Sequence, residues 1–101
     1  MTNIKVLKKD EYIANIEVKG HSDYDDIGKD IVCASISSMV TLAINSIVRF
    51  NENAIEYTVK DGYINIDIKM HNEYIDTLLI SLIDLLQDLA KSYPKNVKII
   101  I

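Results

Sequence analysis

Ile55-Glu56-Tyr57-Thr58-Val59-Lys60-Asp61-Gly62-Tyr63-Ile64-Asn65-Ile66-Asp67-Ile68-Lys69-Met70 carries an apolar side chain at every second position on each side of an Asp-Gly pair. Alternation with period two marks a strand with one buried face, and Asp61-Gly62 is a strong hairpin turn. The segment therefore predicts two antiparallel strands. The pattern recurs upstream, where Ile4 and Val6 flank Lys5, and Tyr12, Ala14, Ile16 and Val18 alternate with Ile13, Asn15, Glu17 and Lys19. Val97 to Ile101 is a short run rich in β-branched residues and reads as a last strand. Between these runs, Ile31 to Phe50 predicts a helix capped by Asp30, with Ile36, Val40, Ala43 and Ile47 as its core line. Ile75 to Leu89 predicts a second, with Ile75, Leu78, Leu79, Leu82, Ile83, Leu86 and Leu89 on one broad face and Ile80 on the polar side. The order strand-strand-helix-strand-strand-helix-strand implies an α+β two-layer sandwich: a mostly antiparallel sheet with two helices on one face, forming a single domain over residues 1–101.

The composition supports one core and narrows the function. About half of the 101 residues are hydrophobic, with one proline and three glycines, so the chain is neither disordered nor of low complexity. A net charge of −4 argues against direct gripping of nucleic-acid phosphates and remains compatible with a basic protein partner. One cysteine cannot form an internal disulfide, and no basic-then-apolar leader opens the sequence, which together predict a cytoplasmic location. The apolar stretch Ile75 to Leu89 is broken by Asp76, Asp84, Gln87 and Asp88, so it predicts an amphipathic helix and no membrane span.

The chemistry concentrates between Gly20-His21 and Gly28-Lys29-Asp30-Ile31-Val32-Cys33-Ala34-Ser35-Ile36-Ser37. A thiol becomes a strong nucleophile at neutral pH when an imidazole takes its proton or a helix start lowers its pKa. Cys33 falls in the first turn of the predicted helix, with Ser37 one turn further along the same shoulder, and His21 ends a strand-like run. The plain alternative is a small buried hydrophobe at position 33, since free cysteines commonly pack in cores. His71, at the end of another strand, is the rival base. Asp30 reads as a helix cap ahead of any catalytic role. The loop holding Asp23, Asp25 and Asp26 fails as an EF-hand, because Ile27 and Ala34 fall where oxygen ligands are needed. His21, Cys33 and His71 lack the paired spacing of a zinc site. The acidic loop is by default solvated, and its sharper reading is a mobile lid over substrate.

Gly20-His21-Ser22, the intervening loop and Gly28 to Ser37 resemble the signature of the ribosomal-processing cysteine protease family called Prp, and the likeness in residue types and order runs along the whole chain. The resemblance implies that His21 and Cys33 are a catalytic dyad, with Gly20, Asp30 and Ser37 at further motif positions. The family usually has alanine where this chain has Ser22, and often where it has Ser35, which adds hydroxyls near the site. The resemblance also implies a cytoplasmic homodimer that removes a short N-terminal extension from large-subunit ribosomal protein number twenty-seven, with no metal or organic cofactor. Asp23, Asp25 and Asp26 would then meet the basic residues beyond the cleaved bond. Ile13 and Ile80 are apolar residues out of step with their neighbours, and at least one of them is expected at or near the dimer interface. The competing reading is a noncatalytic ribosome-associated or dimerisation module in which Cys33 is a buried structural residue.

Overall fold

A computed structural model describes residues 1–26 and 30–101. Its elements follow the predicted order: β1 (Thr2–Lys9), β2 (Tyr12–Lys19), α1 (Ile31–Phe50), β3 (Ile55–Lys60), β4 (Tyr63–Ile68), α2 (Glu73–Ser92) and β5 (Val97–Ile100). The five strands form one sheet in the order β3-β4-β2-β1-β5. The β1–β2, β2–β4 and β3–β4 pairings are antiparallel, and β5 lies parallel to β1.

The hydrophobic pattern explains the layering. Ile4, Val6, Ile16, Val18, Ile66 and Ile68 are buried together with Val32, Ile36, Val40, Ala43 and Ile47 of α1 and Ile75, Leu79, Leu82 and Leu86 of α2. The opposite sheet face is polar: Asn15 Nδ2 donates to Asn65 Oδ1 at 3.1 Å and to Asp67 Oδ1 at 2.6 Å. Burying that face against an apolar surface would strip water from the Asp67 carboxylate and the two amides at a cost. Both helices start with a side-chain cap, from Asp30 to the amide of Cys33 and from Asn72 to the amide of Ile75. α1 is long and apolar enough to cross a membrane, yet its apolar stripe is packed on the sheet, as in a core helix.

β2 departs from simple alternation. Its register against β1 shifts between Leu7 and Lys8, so that Asn15 opposes Leu7 and Ile13 opposes Lys8, leaving Ala14 without an opposite residue. This β-bulge turns Ile13 into the core at 7% exposure and leaves Tyr12 outside at 48%. The expected inward position of Tyr12 and Ala14 is thus corrected. Ile13 is committed to the chain's own core and is not available to an interface, whereas Ile80 is exposed. Tyr57 and Val59 stand in register with the core residue Ile66 and the partly buried Ile64 of β4, but β3 is the edge strand and both remain half exposed.

Candidate active site

Asp30 organises the start of α1. Its Oδ1 accepts the Cys33 amide at 2.9 Å, which fixes Cys33 in the first helical turn. Its Oδ2 accepts the Ser22 hydroxyl in a short hydrogen bond and the Tyr24 amide at 3.1 Å. Desolvation, the largest single influence, raises the Asp30 pKa. The hydrogen bonds from Ser22 and from the amides of Cys33, Tyr24 and Asp25 together outweigh it and hold the carboxyl below its usual range. One carboxylate therefore ties the loop after His21 to the helix that carries Cys33. A second tether comes from the far end of the chain, where Asn96 Nδ2 donates to the Ser22 carbonyl at 3.0 Å.

β2 ends at Lys19 and is followed by Gly20, whose φ of +90° and tight packing both require glycine: a Cβ there would lie 2.5 Å from the Met1 carbonyl oxygen. The next residue, His21, is exposed at the tip of the β3–β4 hairpin. Its Nε2 lies 3.9 Å from Asp61 Oδ1, and a Cβ on Gly62, which has φ +68°, would come within 3.0 Å of that nitrogen. Asp61-Gly62, legible in the sequence only as a turn, is thus also the wall against which the imidazole rests.

These elements enclose a cleft of about 540 Å³. Gly20, His21, Asp23, Asp25 and Asp30 line one side, Cys33, Ala34, Ile36 and Ser37 of α1 another, and Val59 to Ile64 of the hairpin the third. Cys33 is half-buried and Ser37 exposed, as the shoulder position requires. Asp26 is exposed and does not line the cleft; its amide donates to Asp25 Oδ1 at 2.7 Å. The segment Ile27-Gly28-Lys29 lies outside the described residues. His71 is elsewhere, its ring tilted at 30° to that of Tyr12 with centroids 4.5 Å apart and its Nδ1 3.1 Å from Asp76 Oδ1, and it does not line the cleft. The two additional hydroxyls do not enter the cleft: Ser22 is buried on Asp30, and Ser35 donates back to the Ile31 carbonyl at 2.7 Å. Thr2 Oγ1, on the cleft wall, is the one buried side-chain polar atom without a partner among the described residues. No group of three or more potential metal-ligating side chains occurs among the described residues.

A half-buried thiol in a helix first turn and an imidazole lining the same cleft are the two groups that cysteine hydrolases use. The family model described as cysteine protease Prp matches residues 1–98, and the chain belongs to that family. Ribosomal processing cysteine protease Prp of Staphylococcus aureus strain Mu50 is 24% identical over 103 residues, spanning 98% of this chain and 97% of that protein. The crystal structure of the S. aureus protease with a covalently linked product peptide superposes with a TM-score of 0.90 at 23% identity, covering 98% and 97% of the two chains. The crystal structure of SMU.848 from Streptococcus mutans gives 0.84 at 22% identity, covering 98% and 91%. These likenesses establish the same α+β fold, and the family makes the chain a cysteine protease.

Proposed function

We propose that this chain is an endopeptidase that removes the short N-terminal extension of large-subunit ribosomal protein number twenty-seven, with Cys33 as nucleophile and His21 as general base and acid. The observation that carries the reading is the placement of Cys33 in the first turn of α1, opening on the cleft that His21 also lines. His21 accepts the thiol proton, and the Cys33 sulfur attacks the scissile carbonyl carbon. The tetrahedral intermediate collapses as His21 protonates the leaving amine, and a water deprotonated by the imidazole hydrolyses the thioester. The Cys33 amide is already committed to Asp30, so the oxyanion is held by other donors. Asp25 on the cleft wall favours a substrate that is basic beyond its cleaved bond, while the neighbouring Asp23 carboxylate is paired with the Met1 ammonium at 2.7 Å. The enzyme works as a cytoplasmic homodimer, for which exposed Ile80 on α2 supplies an apolar contact.

The test is to sequence the N-terminus of the precursor ribosomal protein before and after incubation with this chain. Loss of the extension with the unaltered enzyme, and not with Cys33→Ala, is expected. A precursor left intact by the unaltered enzyme overturns the assignment.

A further inference from the structure

We infer that the peptide substrate binds as a sixth strand of the sheet, hydrogen-bonded to the outer edge of β3. This rests on the protease reading and adds how the substrate is held.

β3 and β4 are joined by the two-residue loop Asp61-Gly62, with Lys60 opposite Tyr63. In a hairpin of that length the closing pair exchanges both backbone hydrogen bonds, and hydrogen-bonded pairs then recur at every second residue. Thr58 and Glu56 therefore also point their backbone groups at β4. Val59 and Tyr57 point theirs away from the sheet, and among the described residues no backbone partner meets them. An unpaired strand edge is a template for another strand.

The side chains give the same direction. Val59 is 59% exposed and Tyr57 50% exposed, although each is in register with a core-facing residue of β4. They form an apolar ledge on the helix side of the sheet beyond the cover of α1. That ledge runs into the site, because Val59 lines the same cleft as Cys33 and Ser37. The occupant is therefore an extended peptide. Residues of one parity turn their amides to β3, and apolar side chains at every second position lie over Val59 and Tyr57.

The experiment uses a fluorescein-labelled peptide spanning the extension and the first residues of the mature ribosomal protein, bound to the Cys33→Ala enzyme and followed by anisotropy. Val59→Pro removes an outward amide and alters the ledge side chain while leaving the β3–β4 ladder intact. It is expected to weaken binding at least tenfold, while the circular dichroism spectrum stays that of the folded protein. A second arm leaves the protein unaltered and methylates the peptide's amides one at a time. Loss of binding should then alternate along the peptide. Binding within twofold for Val59→Pro, or a methylation profile without alternation, overturns the inference, as does a peptide that does not bind at all. Alternating, Val59-dependent binding of a peptide that the unaltered enzyme does not cut would sink the protease reading and leave this one standing. Cleavage that is indifferent to Val59→Pro would do the reverse.

Discussion

Asp30→Ala removes a helix cap and strands a buried hydroxyl in one substitution. Loss of an aspartate cap costs about 1 kcal/mol. Ser22, which has no exposed surface, would keep its hydroxyl and lose the acceptor of its proton, adding about 1–3 kcal/mol. The sum of about 2–4 kcal/mol corresponds to a fall in Tm of roughly 10–20 °C for a domain of this size. The two residues act on one another, so their effects should not add. Ser22→Ala removes the hydroxyl that Asp30→Ala would orphan, and the double variant should recover about 1–2 kcal/mol relative to the sum of the singles. Urea denaturation of the four proteins measures this coupling. Because His21 directly precedes Ser22, kcat/KM of Asp30→Ala should also fall, by about tenfold for a base that is no longer held in place. Acid sensitivity supplies an internal check. The folded carboxyl titrates below its unfolded value, so its stabilisation is complete above the unfolded pKa of about 3.9 and is lost as pH falls through the lower folded pKa. That acid limb should flatten in Asp30→Ala. Single-variant losses that add within about 0.3 kcal/mol would refute the argument that one carboxylate tethers the loop to the helix.

Cys33→Ala and His21→Ala should each abolish most peptide cleavage with the fold retained, and His71→Ala should not; cleavage assays with circular dichroism decide, and the reverse histidine result would make His71 the base. Gly62→Ala forces a side chain into a positive φ and against the imidazole, so it should cost about 1–2 kcal/mol in stability and reduce kcat several-fold. Retained kcat would show that the hairpin tip does not seat His21. Thr2→Val keeps the β-branched shape and removes the orphaned hydroxyl, so its Tm should be equal or higher; a clear loss would reveal a hidden partner. Replacing Asp23, Asp25 and Asp26 by asparagine should lower kcat/KM at low salt and matter less as the Debye length shrinks to about 8 Å at physiological ionic strength. Equal rates at low salt would remove steering by this loop.

Most of the architecture was legible because each element carries a strong local signal. The β3–β4 alternation, the Asp-Gly turn and the core line of α1 each act through neighbours in sequence. What was hidden is non-local or bulged. Tyr12 and Ala14 satisfy the alternation rule on paper, and only pairing with β1 reveals that Ala14 is the extra residue and Ile13 the buried one. The β1–β2 turn places Asp10 at φ +53° and Glu11 at φ +70° without a glycine, so it lacked the usual signature. The position of Cys33 in a first turn followed from the Asp30 cap, which acts three residues away. The contacts of Asp61 and Gly62 with His21 and of Asn96 with Ser22 bridge about 40 and 74 positions, and no periodicity reports on such distances.

The Asn96 tether sets an order of events for a chain made from its first residue onward. Residues 20–37, which hold His21 and Cys33, the proposed base and nucleophile, leave the ribosome long before Asn96 and Val97. Until those arrive, the Ser22 carbonyl has no donor from Asn96 and β1 has no partner on its β5 side. Pairing β1 with β5 joins residues 95 positions apart, from Thr2 with Val97 to Lys5 with Ile100, a slow step compared with forming either hairpin. Competence to cut peptides is therefore expected to lag behind synthesis of Cys33, so that a half-made chain holds the proposed pair without yet holding it still.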